Sequence, residues 1–202
     1  MQTQILNNDQ LQILPLVGTF SSRFYLVGGT AIALHIGHRR SIDFDLFTDQ
    51  AFNNLTIRKT ILKTYRIDHT FFQGEGELTI LIHKVKVAFF HFPYAVKHGN
   101  WFDTHITLPD LLTLSAMKVF ALGQRAKWKD YVDLYFILHQ FTLSQVIQQT
   151  KLLFQKDFNE KLFRAQLGYF NDIDYSEQID YMTGFQKRDE EIKKYLEEIS
   201  LS

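Results

Sequence analysis

The sequence predicts an α/β (α+β) chain: a small mixed sheet in the first half and a helical bundle in the second. Two observations lead there. Between Phe24 and Phe92, short aromatic and branched runs end at glycines or tight-turn signals, whereas from Pro109 onward apolar residues recur at helical spacing. No Pro/Ser-rich linker, internal repeat or low-complexity tract interrupts the chain. The segment from Phe92 to Leu108 is the natural boundary, giving a lobe of residues 1–107 and a helical lobe of 108–202.

Phe24-Tyr25-Leu26-Val27 reads as a buried strand turning at Gly28-Gly29 into a helix from Thr30 to Ile36. Ile42 to Phe47 alternates at period two, placing Ile42, Phe44 and Leu46 on one face and Asp43 and Asp45 on the other. Asn53 to Tyr65 fits a helix. Ile67–Phe72, Leu78–His83 and Val85–Phe92 follow as a β-meander, separated by Gly74-Glu75-Gly76 and by a tight turn near His83-Lys84. Residues Asp110 to Gln124 carry Leu111, Leu114, Met117, Ala121 and Leu122 at helical spacing, with Pro109 near the start and Gly123 near the end. The next helix places Asp130 and Asp133 one turn apart and turns Tyr131, Leu134, Tyr135 and Leu138 to the core. Leu143–Phe154, Phe158–Phe170 and the charged segment from Asp189 to Glu198 complete the helical half.

Composition narrows the setting. The chain has 202 residues, 46% of them hydrophobic and 19 of them Phe, enough apolar material for a sizeable core and too much for disorder. It has no Cys, which excludes disulfides and thiolate zinc sites. Neither a signal core nor a membrane-length apolar run is present, so a cytoplasmic address without membrane contact is expected. Twenty-two basic residues balance 22 acidic ones. General attraction to polyanions is therefore absent, and nucleic acid would need a local patch such as Arg39, Arg40, Lys84, Lys86, Lys118, Arg125, Lys127 and Lys129. His91, Tyr94, His98, Trp101 and His105 cluster near the lobe boundary; their spacing suits aromatic packing or the wall of a nucleobase site better than a metal.

The chemistry concentrates at Gly28-Gly29-Thr30 and Asp43-Phe44-Asp45. A glycine turn opening a helix lets backbone N–H groups and the positive helix end face an anion, with the Thr30 hydroxyl as a further donor. Asp43 and Asp45, roughly 6.6 Å apart along a strand, can converge on two divalent ions about 3.5–4 Å apart. A Gly-Gly pair alone is a common turn, and an Asp-x-Asp alone is usually a solvated strand face; together they suit a nucleotide triphosphate with its metal.

This combination resembles the polymerase-beta nucleotidyltransferase superfamily. Gly28 to Leu34, Gly37-His38-Arg39 and Ser41 to Phe47 are similar in particular to the AbiEii/AbiGii toxin family of nucleotidyltransferases. The pattern Lys118-x-x-Ala121-x-x-x-Arg125 and the run Lys129-Asp130-x-x-Asp133 are similar to two further motifs of that family; without the first block they would read as an amphipathic helix pair with surface ion pairs such as Lys129 with Asp133. The resemblance implies a polymerase-beta-like catalytic lobe and a Mg²⁺ (or Mn²⁺) dependent transfer of a nucleoside monophosphate from a nucleoside triphosphate (NTP) to an acceptor hydroxyl. Asp43 and Asp45 would be the metal ligands. Gly28, Gly29, Thr30, Arg39, Ser41, Lys118, Arg125 and Lys129 would hold the nucleotide. Many relatives place a third carboxylate on a later strand. Here that strand, Val85 to Phe92, carries no acid, and Ala88 stands in the gap. The resemblance offers Asp130 as general base or as a support behind the metal ligands; Asp133 would instead anchor Arg125 or Lys129, and Asp68 and Asp103 are unassigned acids that the fold could bring close.

Three functions remain open at this level. One is the toxin of an AbiE-like, phage-defence toxin–antitoxin pair acting on tRNA or another RNA, with a cognate antitoxin as partner. Another is the same chemistry on a small-molecule or protein hydroxyl. The third is a nucleotide-binding pseudoenzyme without turnover.

Overall fold

A computed structural model describes residues 1–202. Five strands, β1 (Tyr25–Val27), β2 (Phe44–Thr48), β3 (His69–Gly74), β4 (Glu77–Ile82) and β5 (Val85–His91), form one mixed sheet in the spatial order β1-β2-β5-β4-β3. β1 runs antiparallel to β2, β2 parallel to β5, and the β3-β4-β5 meander is antiparallel. The expected small mixed sheet is present. At the β4–β5 turn His83 and Lys84 adopt φ of 48° and 65°, the left-handed pair that a two-residue hairpin requires. On β2 and β5 alternate residues Phe44, Leu46, Val85, Val87 and Phe89 are buried, while Asp45, Phe47, Lys86, Ala88 and Phe90 are partly open on the opposite face.

The helices are α1 (Asn8–Gly18), α2 (Gly28–Ile36), α3 (Asn54–Ile61), α4 (Leu111–Leu122), α5 (Trp128–Leu138), α6 (Leu143–Phe154), α7 (Glu160–Leu167) and α8 (Asp189–Ser200). Their starts follow local chemistry: Asn7 with Gln10 and Thr142 with Gln145 form reciprocal capping boxes, and the Asp110 carboxylate accepts the Thr113 N–H at 2.7 Å to open α4. Every residue of α5 except Lys129 is buried, so α5 is the central helix and its two aspartates must find partners inside the protein. α2 packs on both α4 and α5.

Four features depart from the sequence reading. Ile42 lies before β2 and is 60% exposed, because residues 41 to 43 are drawn onto α2 instead of continuing the strand. The boundary segment contains a small hairpin, β6 (Asn100–Phe102) with β7 (Ile106–Leu108), and the N-terminal helix α1 precedes the sheet. The stretch between α7 and α8 is a strap: the Arg40 N–H donates to the Asp180 carbonyl and the Met182 N–H to the His38 carbonyl, tying the strap to the loop after α2. One continuous core runs from Ile5 to Leu196 across the 107/108 boundary. No helix is long and apolar enough to cross a membrane.

Candidate active site

The two glycines serve the protein before any ligand. Gly28 has φ +71°, and a Cβ on it would sit 2.0 Å from Asp45 Oδ2. A Cβ on Gly29 would sit 2.6 Å from Arg39 Nη2 and 3.1 Å from the Ser41 hydroxyl. The start of α2 is thus bare backbone onto which an acid, a guanidinium and a hydroxyl close in together, and its unpaired N–H groups face the same place.

Thr30 is buried, and its hydroxyl donates to the Asp43 carbonyl oxygen and lies 3.0 Å from the Ser41 hydroxyl. This corrects its expected role as a phosphate donor: Thr30 fixes the loop that carries Asp43. Gln10 adds a second tie, donating to the Ser41 carbonyl at 2.8 Å. Asp43, 22% exposed, pairs with Lys86 Nζ at 2.8 Å. Burial raises the Asp45 pKa and the neighbouring Asp43 charge raises it further, partly offset by Lys118, Lys86 and Lys129.

Behind the carboxylates lies a buried ion network centred on α5. Arg39 grips Asp133 with two parallel bonds, Nε to Oδ1 at 2.7 Å and Nη2 to Oδ2 at 2.9 Å. Lys118 Nζ reaches Asp130 Oδ1 at 2.6 Å and Asp133 Oδ2 at 2.9 Å. Arg125 Nε, on a residue half exposed, approaches Asp130 Oδ2 at 3.2 Å. His38 Nε2 lies 2.8 Å from Asp133 Oδ1. Burial keeps this imidazole neutral, against the pull of Asp133, so Nε2 carries the donated proton. Burial alone would raise the Asp133 carboxyl, but Arg39, then Lys118, and the His38 and Arg39 hydrogen bonds hold it well below the usual carboxylate range.

Several expectations change here. Asp130 is fully buried with both oxygens committed to cations; burial pushes its carboxyl up, yet Lys118 and Arg125 hold it below the ordinary value. Such a group is a poor proton acceptor, and the geometry makes it the support of Lys118 and Arg125 in place of the expected base. Arg39 spends its Nε–H and one Nη2–H on Asp133 and one Nη1–H on the Arg40 carbonyl, so it anchors α5 first, while its Nη2 still faces the start of α2 at Gly29. Asp133 anchors Arg39, Lys118 and His38, not Arg125 or Lys129. Lys129 and Lys127 both pair with Glu177, so no Lys129–Asp133 pair forms. Asp68 accepts the His83 N–H at 3.0 Å, and Asp103 sits at the β6–β7 turn with φ 50°; neither belongs to the site. Of the eight basic residues expected to form a patch, all but Lys84 are drawn into ion pairs within the chain.

Between the sheet and α4 opens a cavity of about 330 Å³ lined by Gly28, Asp45, Phe47, Phe90, Phe92, Met117, Lys118, Phe120 and Arg125. It joins one carboxylate, two cations and an aromatic wall. Of the two expectations for the boundary aromatics, packing holds for His98, which stacks on Tyr25 at 4.3 Å, while none of them lines this cavity and Trp101 is exposed at the β6–β7 hairpin. Phe47 and Phe90 stood out only as apolar strand residues, and period two on the paired strands β2 and β5 was the signal that could have placed them beside Asp45. Lys118 and Arg125 do meet, although α4 ends at Leu122; Asp130 joins them where a continuous helix was expected to.

Comparison with known proteins gives the class of this chain, a nucleotidyltransferase. Residues 16–99, which contain Gly28, Gly29, Asp43, Asp45 and Lys86, match the family model described as nucleotidyl transferase AbiEii toxin, type IV toxin–antitoxin system. The chain belongs to this AbiEii toxin family of nucleotidyltransferases. It is 31% identical over 189 residues to an uncharacterised protein of Aquifex aeolicus, covering 86% of this chain and 88% of that one. Its fold is similar to that of MenT4, a nucleotidyltransferase toxin from Mycobacterium tuberculosis, with TM-score 0.59 and 13% identity over 95% of this chain and 81% of that chain. A Helicobacter pylori protein solved as a candidate nucleotidyltransferase also shares the fold, with TM-score 0.51 and 16% identity over 80% of this chain and 74% of that chain.

Proposed function

We propose that this chain transfers a nucleoside monophosphate from an NTP to a hydroxyl at the acceptor end of tRNA, as the cytoplasmic toxin of an AbiE-like pair held in check by a cognate antitoxin. The observation that carries the chemistry is the seating of Asp45 on the bare N-terminus of α2, across a cavity from Lys118 and Arg125, with Asp43 near enough for its charge to raise the Asp45 pKa. The toxin family supports the biological setting.

The donor set suits a hard divalent cation. Two carboxylates with no third protein ligand match Mg²⁺ or Mn²⁺, which complete their shells with water and substrate phosphate oxygens. Charge supports the same reading. Asp43, Asp45, Asp130 and Asp133 are balanced by Lys86, Lys118, Arg39 and Arg125, so a triphosphate entering a neutral site brings negative charge that the protein alone does not cancel. Bound at Asp43 and Asp45, the cation would polarise the α-phosphate and neutralise the departing pyrophosphate.

The chain's own groups orient the substrate. N–H groups of Gly28 and Gly29, with the Ser41 hydroxyl, face phosphate oxygens. Lys118 has spent two of its three N–H donors on aspartates and has one left for the cavity. The Arg125 Nη atoms are free of protein partners and half exposed. The base would rest against Phe47, Phe90, Phe92, Met117 and Phe120. The lobes 1–107 and 108–202 would each supply one wall.

The test is incubation of the purified chain with each α-labelled NTP, Mg²⁺ and total tRNA. Label at the RNA 3′ end is the expected result. Label on a protein or small molecule alone would favour the second reading, which the commitment of Arg39, Lys127 and Lys129 to internal ion pairs supports. Tight nucleotide binding with no label on any acceptor would leave a pseudoenzyme.

A further inference from the structure

Lys86 stands where this kind of site would hold its remaining negative charge. β5 runs parallel to β2 with Ala88 opposite Asp45. Side chains alternate along a strand, so Lys86, Ala88 and Phe90 share the face that carries Asp45, and Asp43, in the loop just before β2, reaches Lys86. A carboxylate at position 88 would complete a set able to hold two divalent ions about 3.5–4 Å apart. A methyl group stands there instead, and no set of three imidazole or carboxylate groups gathers at the site. The nearest charge on that strand is positive: Lys86 Nζ is 2.8 Å from Asp43 Oδ2 and, at 42% exposure, borders the open side of the site.

We infer that Lys86 takes the place of a second metal ion, so that the chain works with one divalent cation on Asp45 and Asp43 while the ammonium of Lys86 holds the outer oxygen of Asp43. This rests on the reading of Asp43 and Asp45 as the carboxylates of nucleotidyl transfer. With Nζ already 2.8 Å from Asp43 Oδ2, Lys86 supplies positive charge on the outer side of that carboxylate, and a compact ammonium on a flexible stem is well suited to occupy that place. With Ala88 supplying no ligand, nothing recruits another ion to replace it.

The test counts ions directly. The full chain is loaded with Mn²⁺ and the α,β-methylene analogue of ATP or of CTP, one purine and one pyrimidine. The complex is then examined by electron paramagnetic resonance and native mass spectrometry. The expected result is an isolated six-line Mn²⁺ signal and one ion per chain. Lys86→Ala combined with Ala88→Asp should gain a second ion and a spin-coupled spectrum. A coupled pair in the wild-type chain, or a well-folded double variant that still takes one ion, would overturn the inference and leave the carboxylate reading standing. A wild-type complex with no Mn²⁺, and with nucleotide affinity unmoved by Asp45→Ala, would remove both. If the double variant does not fold, the wild-type count alone decides.

Discussion

The Asp45 carboxylate rests on the backbone of Gly28 so closely that a single added carbon there would stand 2.0 Å from Asp45 Oδ2. Glycine is required at this position by the acid as well as by its φ of +71°. Gly28→Ala is therefore expected to displace Asp45 and to strain the turn, at a cost of about 1–3 kcal/mol. Transfer should be lost while the chain still unfolds cooperatively. Urea melts beside a transfer assay check this; an active Gly28→Ala protein of unchanged stability would show that Asp45 has room to move.

The buried network around α5 holds the helical half to the loop after α2. Asp133→Ala leaves Arg39, Lys118 and His38 facing an empty, buried space. A loss of about 3–5 kcal/mol is expected, the usual cost of removing one partner from a buried ion pair. Chemical denaturation measures it, and a loss below about 1 kcal/mol would mean that water enters and solvates the stranded cations.

Acid should weaken this network in two stages. His38 is neutral and below its ordinary value of 6.5, first through burial and then through Arg39 and Lys118, with Asp133 opposing. The unfolded chain therefore gains a proton below about pH 6.5 that the folded chain does not, and stability falls with pH from there. Asp133, held well below 3.8, contributes stability that is complete above that value and is lost as pH falls further. Urea midpoints between pH 7 and 5 should drop for the wild type and drop less for His38→Gln, which keeps a donor and cannot charge. Equal slopes would contradict the neutral, buried imidazole.

Asp130 is expected to position Lys118 and Arg125. Asp130→Asn should raise the nucleotide KM about tenfold, because the ammonium loses a charged tether worth roughly 1.5–3 kcal/mol, while the shape of the kcat–pH profile stays as in the wild type. A lost basic limb with unchanged KM would restore the general-base role. The aromatic wall is tested separately: Met117→Trp should fill the 330 Å³ cavity and raise the nucleotide Kd about tenfold or more, with little change in melting temperature.

Much of this was legible in the sequence. Period two put Asp45 on the face of β2 opposite Phe44 and Leu46, although Asp43 lies in the loop before the strand; the Gly-Gly turn announced the strand-to-helix junction, and Pro109, Asp110 and Gly123 bracketed α4. What was hidden depended on contacts between distant segments. That Arg39 and Lys118 both belong to Asp133 requires α2, α4 and α5 to pack together, and spacing along one helix says nothing of that. The buried face of α5 looked like an amphipathic surface because charged residues normally seek water, and only the cations around Asp130 and Asp133 make their burial tolerable. Thr30 resembled a phosphate donor because its hydroxyl's partner, the Asp43 carbonyl, is a backbone atom that no side-chain pattern reveals.

The central claim is that Asp43 and Asp45 drive nucleotidyl transfer. Its most direct measurement is the initial rate of label transfer from α-labelled NTP to tRNA, with Mg²⁺, for the wild type, Asp45→Asn and the exposed-helix control Lys194→Ala. The account expects Asp45→Asn to lose at least about 10³-fold, the scale of one lost transition-state electrostatic contact, with Lys194→Ala at the wild-type rate and all three equally stable. Transfer by a folded Asp45→Asn protein at the control's rate would contradict it.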